Sequence, residues 1–504
     1  MEIQKKENLK NCPYLDTINR SILDFDFKKL CSISLSHTNV YACLVCGKYF
    51  QGRGRKSYAY IHSVQEMHHV FLNLESKRFY CLPDDYEFYD SSLEDIIFYL
   101  DPHFSTKMIK ELSTNGHFRT AYDNTKYLPG LAGLNNIKNN DYCNVVFHLF
   151  CNIIPIRDFF INRTNYIDIT KPLSDMPQLL LKRFGELIRK LCNQRNFRAH
   201  VSPHEMLQAV VLCSKKRFQF TVQSDCVDFI TWLLTSLHEA LLEKGKSKKT
   251  GVFRNDGATK PKKLRLNKKE KKTQAKMYKD LISQQNSIIS DTFRGIMRVT
   301  SRKIETKSVR DGGKKNKSRD VTTYSMPEMF IQPFYYLACD LPAPPLFPDI
   351  NQEVIIPQVP LSVLLEKFDG VTEKEYKTYI DSSIKKFEIL KLPPYIILVF
   401  KRFVKTRFLL EKNPTIVNFP MIGVDFGELL TTENRKNHGC TVYDLIGSIV
   451  HDGKSDVGTY HLHNLHQASG KWFDVENLIV KPIVPQLITL SEAYIQVYKV
   501  REEI

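Results

Sequence analysis

The spacing of apolar and polar residues changes its period part-way along the chain. Between about Leu128 and Lys244, apolar residues recur three and four positions apart, as in LLLKRFGELIRKL, and this spacing predicts helices. Later runs are short, apolar and rich in β-branched or aromatic residues, as in PPYIILVFKRF and TVYDLIGSIVHDG, which is typical of strands. Helices followed by antiparallel strands predict an α+β fold.

The N-terminal part of the chain is rich in Cys, His and Tyr, and we predict a separate domain over residues 1–105. An acidic, aromatic stretch, LPDDYEFYDSSLEDIIFYLD, closes this domain. Within it, Ser91 or Ser92 followed by acidic residues predicts a helix start. After a short linker, we predict a second domain over residues 128–500.

The net charge of +17 is concentrated in one segment. Residues 244–320 contain 25 Lys and Arg against 7 Asp and Glu, a balance of +18, so the rest of the chain carries −1. We predict a basic, disordered insertion at about residues 244–285, because its lysine-rich sequence has too few apolar residues to form a core. Its segment KPKKLRLNKKEKK is typical of a nuclear address or of a contact with an RNA phosphate backbone, and equally of a solvated loop.

Neither a membrane segment nor a secretion signal is expected. No apolar run approaches the roughly 18–20 residues that cross a bilayer, and the first residues, MEIQKKENLKN, contain no apolar stretch. Twelve cysteines, mostly isolated among apolar residues, are typical of reduced core positions rather than of a disulfide framework. Three of them, Cys12, Cys31 and Cys81, are an incomplete ligand set, for which core packing is the favoured interpretation. We therefore expect a soluble, intracellular protein.

One close cysteine pair is a candidate metal site. Cys43 and Cys46 have two residues between them, His62 follows Cys46 after fifteen intervening residues, and His68 follows His62 after five. Two thiolates and two imidazoles are a set that tetrahedral Zn²⁺ prefers, so we predict a structural zinc site. His69 is an alternative to His68, because spacing alone does not choose between neighbours.

This segment resembles the UBP-type zinc finger of ubiquitin proteases. In that family the finger holds the C-terminal tail of ubiquitin through a tryptophan and an arginine that follows Cys-Gly. Aligned on Cys46 and Gly47, this chain has Lys48 at the arginine position and Tyr41 at the tryptophan position. A lysine lacks the two-pronged carboxylate contact of arginine. The resemblance therefore implies a structural zinc site and disfavours ubiquitin-tail binding.

The segment GLNNIKNNDYCN, which begins at residue 133, resembles the cysteine box of ubiquitin-specific proteases. Asp141 stands at the nucleophile position and Asn136 at the oxyanion-hole position. The segment YDLIGSIVHDGKSDVGTYHLHNL resembles the family's histidine box, and Thr459 stands where the general base belongs. The third triad position, in KWFDVEN, is Glu476. The resemblance implies a papain-like ubiquitin-specific-protease fold with a helical thumb and a β-rich palm and fingers.

These substitutions predict a protein without isopeptidase activity. A cysteine protease needs a thiolate nucleophile and an imidazole that activates it, whereas Asp141 forms no thioester and Thr459 cannot shuttle a proton near neutral pH. Cys143 is an unsuitable replacement, because two residues along a helix place it about 200° round from Asp141. His461 and His463 share the strand face of Thr459, but each step displaces the group by about 6.6 Å. At the start of a helix, Asp141 is instead a suitable N-cap.

Further segments, among them EKNPTIVNFP and PQLITLSEAYIQVYK, resemble the spliceosomal branch of the ubiquitin-specific protease family, whose cysteine box has the same Asn-Asp-Tyr. The resemblance implies a nuclear, non-catalytic scaffold in pre-mRNA splicing that joins or stabilises the U4/U6.U5 tri-snRNP through protein contacts. The alternatives are a ubiquitin-binding adaptor without catalysis and an active deubiquitinase. The segment FRGIMRV is not followed by the two Cys-x2-Cys knuckles that many members carry, which further weakens the case for ubiquitin binding.

Overall fold

The structure is a computed structural model, and it describes residues 11–167, 175–242, 286–310, 318–343, 356–377, 382–405, 410–436, 438–455 and 457–502. The predicted basic insertion at about residues 244–285 lies outside the described residues. The chain divides into two compact units. The first comprises Met1–Ser224, His466–Lys471 and Val475–Val480, and the second comprises Asp225–Leu465, Trp472–Asp474 and Lys481–Ile504.

The first unit begins with a sheet of short strands and one helix: β1 Val40–Cys43, β2 Tyr49–Gln51, α1 Tyr58–Gln65, β3 Val70–Asn73, β4 Phe79–Cys81 and β5 Tyr86–Phe88. The strands are antiparallel and lie in the order β2-β1-β3-β4-β5. Both faces of β1 are buried. Val40 and Ala42 join one core cluster, whereas Tyr41 and Cys43 join another, as the strand period of two requires.

Helices form most of the remainder of the first unit: α2 Glu94–Leu100, α3 Thr106–Thr114, α4 Asp141–Asn152, α5 Ile154–Ile161, α6 Met176–Leu191 and α7 His204–Cys213. Two pairs of two-residue strands accompany them: β6 Arg119–Thr120 with β7 Lys126–Tyr127, and β8 Gly133–Leu134 with β9 His200–Val201. The segment predicted as a helix from its apolar spacing is α6. It buries Leu181, Phe184 and Ile188 at that spacing.

The rest of the chain, most of which belongs to the second unit, is rich in strands. Its helices are α8 Cys226–Leu242, α9 Ile288–Phe293, α10 Leu361–Leu365, α11 Thr432–Lys436 and α12 Pro485–Thr489. Its strands are β10 Gly295–Arg310, β11 Ser318–Tyr324, β12 Glu328–Phe334, β13 Leu337–Cys339, β14 Gln358–Pro360, β15 Asp369–Lys377, β16 Ser382–Lys391, β17 Tyr395–Phe400, β18 Phe403–Lys405, β19 Leu410–Lys412, β20 Ile416–Asn418, β21 Val424–Asp425, β22 Val442–Gly453, β23 Gly458–His466, β24 Lys471–Glu476, β25 Ile479–Pro482 and β26 Ala493–Val500.

Two large sheets organise these strands. An eight-stranded sheet has the order β13-β17-β26-β22-β23-β24-β25, with β21 paired to β22. Its strand β17 is buried along its whole length, and Leu398, Tyr443 and Tyr498 belong to the core cluster that the sheet covers. A five-stranded sheet has the order β11-β10-β16-β15, with β12 also paired to β10.

The predicted α+β class is confirmed, because helices dominate the chain before β10 and strands dominate after it. One predicted helix start is wrong in detail. Asp90, rather than Ser91 or Ser92, is the capping residue: its carboxylate accepts a hydrogen bond from the Ser92 N–H at 2.8 Å, and a short 3-10 turn precedes α2. Within the described residues, no single helix is long and apolar enough to cross a bilayer, and α4 and α5 reach that length only as a pair bent by 90°.

Candidate zinc site and degenerate protease motif

Cys43 and Cys46 lie on a tight turn between β1 and β2. The N–H of Gly47 donates to the Cys43 carbonyl, and the N–H of Cys43 donates to the Lys48 carbonyl, both at 2.9 Å. Gly47 has a φ of +74°, which glycine adopts without Cβ strain. A Cβ at this position would also lie 3.0 Å from the Ile22 carbonyl oxygen. The turn therefore requires glycine, and it holds the two sulfur atoms near each other.

Two histidines bring their ring nitrogens to the same point. His62 lies in the last turn of α1, where its ring stacks on Phe50 with the centroids 4.1 Å apart. Cys46 Sγ is 3.4 Å from His62 Nε2, Cys43 Sγ is 3.6 Å from His68 Nδ1, and the two ring nitrogens are 3.1 Å apart. All four ligand atoms lie within 4.8 Å of one another.

This cluster fits a tetrahedral zinc ion. Bond lengths of about 2.3 Å to sulfur and about 2.1 Å to nitrogen give tetrahedral edges of about 3.6 Å for S–N and about 3.4 Å for N–N, close to the observed separations. The hydrogen bond with Cys43 lowers the pKa of Cys46, and the Lys48 N–H and His68 lower it further against the effect of burial. The same hydrogen bond, together with burial, raises the pKa of Cys43, so the pair favours one thiolate, the form that binds metal, before an ion enters.

The other candidate ligands are used elsewhere. His69 Nδ1 lies 2.8 Å from a backbone carbonyl oxygen, so the structure brings His68 rather than His69 to the cluster. Cys12 and Cys81 are buried in the hydrophobic core of the finger. The sulfur of Cys31 accepts a hydrogen bond from a backbone N–H at 3.4 Å.

In the structure, the arginine that lies beside aromatic residues of the finger is Arg53, whereas the sequence alignment had pointed to Lys48. The Arg53 guanidinium lies 4.4 Å from the centroid of the Tyr80 ring, and Tyr80 packs edge-on against Tyr41. Lys48 is exposed on the cysteine turn. Arg53 also pairs with Asp85 at 2.5 Å. Both side chains of this ion pair are exposed to solvent, so the pairing is weak.

Asp141 is the first residue of α4 and is almost fully buried, at 3% exposure. The predicted N-cap role is wrong by one position, because Asn140 is the N-cap residue. A carboxylate in the first turn is still favoured by the helix dipole. Asp141 Oδ2 accepts a hydrogen bond from Gln223 Nε2 at 2.7 Å. Gln223 is 82 positions away, and no local pattern in the sequence links the two residues.

Cys143 lies inside α4 with no exposed surface. Burial raises the pKa of its thiol well above the ordinary value. A thiol that is enclosed and protonated is neither accessible to a substrate nor nucleophilic.

Asparagines connect the loop before α4 to the end of β24. Asn140 Nδ2 donates to Asn144 Oδ1 at 3.0 Å, and Asn144 Nδ2 donates to Asn477 Oδ1 at 2.9 Å. Asn144 Nδ2 also contacts the Asn135 carbonyl at 3.2 Å. The N–H of Leu134 donates to the Asn477 carbonyl at 2.8 Å. Residues that match the cysteine box are therefore engaged in structural contacts.

The predicted oxyanion and third-triad positions flank this asparagine network. Asn136 is exposed, and its Oδ1 accepts a hydrogen bond from the Asn140 N–H at 3.0 Å. Glu476 is half-buried and directly precedes Asn477. A Cβ on Gly133 would lie 2.7 Å from the Leu478 carbonyl oxygen. Glycine is therefore required where the cysteine box approaches the segment after Glu476.

Thr459, the base position, lies exposed on β23 of the second unit, opposite Asp452. Two positions on, His461 Nδ1 lies 2.8 Å from Asp474 and its Nε2 lies 2.9 Å from Asp452. Because each ring nitrogen of His461 faces a carboxylate, neither is directed at a nucleophile whose proton it would have to take as a general base. The ligand atoms of His461, His463 and Asp474 lie within 4.8 Å of one another. Burial, then the neighbouring His461, lowers the pKa of His463 to about 4.

Two known protein families match segments of this chain. Residues 132–498 match the family described as "Ubiquitin carboxyl-terminal hydrolase", and residues 31–93 match "Zn-finger in ubiquitin-hydrolases and other protein". The chain belongs to the ubiquitin carboxyl-terminal hydrolase family. The predicted order, a UBP-type finger followed by a ubiquitin-specific-protease fold, is confirmed.

Individual relatives place the chain within the family. It is 52% identical over 494 residues to Ubiquitin carboxyl-terminal hydrolase 39 of Homo sapiens, which covers 98% of this chain and 80% of that protein. It is 35% identical over 492 residues to "Probable mRNA-splicing protein ubp10" of Schizosaccharomyces pombe, covering 96% and 88%. A solved structure described as "Crystal structure of an essential yeast splicing factor" aligns with a TM-score of 0.66 at 25% identity, covering 97% and 100%. The predicted resemblance to the spliceosomal branch is confirmed.

Proposed function

We propose that this chain is a non-catalytic scaffold in pre-mRNA splicing, acting in the nucleus to join or stabilise the U4/U6.U5 tri-snRNP. The observation that carries the proposal is the state of Asp141. A buried carboxylate, already hydrogen-bonded to Gln223, occupies the position of the protease nucleophile. The splicing role is supported by the names of the relatives in Schizosaccharomyces pombe and yeast.

Loss of catalysis follows from the chemistry of the residues present. An acyl-enzyme intermediate needs a polarisable nucleophile and a base that takes up its proton. Asp141 offers no thiol, Thr459 offers no imidazole, and the Cys143 thiol is enclosed. His461, two positions after Thr459, is held between Asp452 and Asp474.

The finger has a structural rather than a catalytic role in this proposal. Cys43, Cys46, His62 and His68 together hold one zinc ion, and four protein ligands leave no position open for a substrate. Bound zinc cross-links the turn after β1 to α1 and to the segment before β3. The lysine at position 48, where the family has an arginine, supports a finger that does not capture a ubiquitin carboxylate.

Labelling with a ubiquitin probe that carries a C-terminal electrophile tests the loss of catalysis. We expect no covalent adduct with the whole chain, because such a probe requires a reactive thiolate. The matched variant is Cys143→Ser. An adduct on the natural chain that disappears in Cys143→Ser would show an active deubiquitinase and overturn the proposal.

The adaptor alternative is tested separately, by titrating ubiquitin against the whole chain and an Arg53→Ala variant. We expect no binding at micromolar concentrations for either protein. Micromolar binding that Arg53→Ala removes would favour a ubiquitin-binding adaptor.

Affinity purification from nuclear extract tests the splicing assignment. We expect tri-snRNP proteins and small nuclear RNAs to co-purify with the chain. A variant that lacks residues 260–272 separates the roles of the basic insertion. If this variant, added directly to nuclear extract, still co-purifies with them, the segment is not an RNA contact that the association needs, and a nuclear address or a solvated loop remains. Recovery of no splicing components by the natural chain would contradict the proposal.

A further inference from the structure

A cleft in the first unit is strongly cationic. It has a volume of about 660 Å³, and its walls come from the segment before β1, from α6, and from the start of α7. Eight lysines and arginines line it against three acidic residues, an excess of five positive charges. None of the lining residues belongs to the zinc cluster or to the cysteine box.

Each of the three acidic residues of the cleft already pairs with at least one cation. Arg183 pairs with both Glu186 and Glu205. Asp101 pairs with both Lys77 and Arg163. The carboxylates of the cleft are thus all paired, and the lining lysines and arginines still outnumber them.

Three of the lining cations have no acidic partner among the described residues: Lys28, Lys29 and Arg189. Among these three, Arg189 is the strongest indication of a missing anionic partner, because its side chain is only 1% exposed. Its Nη1 contacts the Phe160 carbonyl and the Tyr166 hydroxyl. Its Nε and Nη2 have no hydrogen-bond partner within the described part of the chain. A buried guanidinium with two unused donors is costly unless an anion completes it.

The concentration of positive charge shifts the pKa values of residues in the cleft. The Lys29 side chain is exposed at the edge of the cleft. Partial desolvation by the surrounding residues, followed by the positive charges of Lys190 and Arg183, lowers the pKa of Lys29 to about 8. Burial raises the pKa of Glu186, but the charges of Arg183 and neighbouring lysines outweigh that effect and hold the pKa below its ordinary value. An anion that entered the cleft would relieve the repulsion among these cations.

We propose that this cleft binds a small, densely phosphorylated anion, in which several phosphate groups are carried on one compact molecule. A volume of about 660 Å³ lies in the range of small-ligand sites, roughly 300–1,000 Å³. A single phosphate would neutralise only part of the excess charge, whereas several phosphates on one molecule would neutralise more of it and contact several of the lining cations together. An inositol polyphosphate and a nucleoside triphosphate share this chemistry, and the experiment distinguishes them.

Calorimetric titration of the whole chain at physiological salt provides the test, with myo-inositol hexakisphosphate, ATP and inorganic phosphate as separate probes. We expect one polyphosphate to bind with 1:1 stoichiometry and a dissociation constant of about 10 µM or tighter, and inorganic phosphate to bind far more weakly. The Lys28→Ala/Lys29→Ala variant should bind at least tenfold more weakly. The matched control is Lys107→Ala/Lys110→Ala, which removes two exposed lysines from α3 of the same unit and should bind as the natural chain does.

Arg189→Met separates a ligand role from a structural role. We expect its melting temperature without ligand to equal or exceed that of the natural chain, and the rise in melting temperature that the polyphosphate causes to be lost. A lower melting temperature with an unchanged ligand-induced rise would show that Arg189 is structural. If Arg189→Met does not fold, the lysine pair decides the outcome.

Two further results would overturn the proposal. One is absence of polyphosphate binding, or binding that the lysine variant leaves unchanged. The other is tighter binding of a single-stranded oligouridylate than of any small polyphosphate, weakened by the same lysine variant, because the cleft would then be part of a nucleic-acid surface.

Discussion

Gln223 donates a side-chain hydrogen bond to Asp141, with 2.7 Å between Nε2 and Oδ2. The contact joins the residue at the protease nucleophile position to one 82 positions later. In an active protease this position must be reachable by a substrate carbonyl. Here the side chain is 3% exposed and helps to hold the start of α4. The nucleophile position has thus become part of the packing of the first unit.

A double-mutant cycle on Asp141 and Gln223 measures this role. We expect Asp141→Ala to lower the free energy of unfolding by about 1–3 kcal/mol, because it leaves the Gln223 amide without this acceptor. The coupling energy between Asp141→Ala and Gln223→Ala should be about 1 kcal/mol. Chemical denaturation of the single and double variants provides the measurement. Additive effects would show that the hydrogen bond does not stabilise the fold.

Asp141→Asn isolates the charge of Asp141 from its hydrogen bond. The amide oxygen can still accept from Gln223, whereas the negative charge that the helix dipole favours is removed. We expect a decrease of about 0.3–1 kcal/mol in the free energy of unfolding, smaller than that of Asp141→Ala. A loss as large as that of the alanine variant would contradict this assignment.

Asn477 has two structural tasks, and a matched asparagine separates them. Its φ is +52°, and its side chain accepts a hydrogen bond from Asn144. Asn124 has a similar φ of +62° but lies on an exposed turn. We expect Asn124→Ala to cost about 1–2 kcal/mol for backbone strain alone, and Asn477→Ala to cost about 1 kcal/mol more for the lost side-chain contact. Equal costs, measured by denaturation, would show that the Asn144 contact contributes nothing.

His148 makes the first unit sensitive to acid. The residue has no exposed surface, and burial lowers its pKa to about 3. In the unfolded chain a histidine has a pKa of about 6.5, so below that pH the unfolded state takes up a proton that the folded state does not. Its effect is absent above about pH 6.5, and stability is lost as the pH falls from there toward about 3.

His148→Phe should remove this part of the acid sensitivity. Between pH 7 and pH 5 we expect the natural chain to lose about 2 kcal/mol more in free energy of unfolding than the variant. The measurement is denaturation at both pH values. A control, His204→Phe, changes a half-buried histidine and should alter the pH dependence less. Parallel losses in the natural chain and in His148→Phe would contradict the prediction.

Zinc content tests the assignment of the finger ligands. We expect about one zinc ion per natural chain, and its loss in Cys46→Ser and in His68→Gln, together with a lower melting temperature, because metal binding contributes to folding of such sites. Cys213→Ser changes another half-buried cysteine and should keep the zinc, as should His69→Gln. Elemental analysis provides the readout. Loss of zinc in His69→Gln and its retention in His68→Gln would reverse the assignment of the fourth ligand.

Much of the fold could be predicted from short-range patterns. The apolar spacing of α6 and the continuous apolar run of β17 each report a local periodicity, and local periodicity is what side-chain burial imposes on a helix or a strand. The Cys43 and Cys46 pair is also local, since one turn places both sulfur atoms. The motif positions Asp141 and Thr459 could be read because the boxes around them keep their spacing.

Other features could not be predicted, because they join residues that are far apart in the chain. Spacing did not choose between His68 and His69, and the choice followed from the contact of His69 with the Leu82 carbonyl, 13 positions later. Arg53 was missed because its aromatic partner, Tyr80, lies on β4, far along the chain. Gln223 carries no signal that ties it to Asp141.

Family membership and the absence of a thiol at the nucleophile position could both be read from the sequence, since they depend only on which residues stand in which order. The tertiary structure alone decided what replaced the lost chemistry, and where positive charge collects in the first unit. Lys29 and Arg189 are 160 positions apart in the sequence, and both line one cleft only because folding brings the segment before β1 to α6. Charge in a sequence adds up along the chain, but electrostatic potential depends on distances in space.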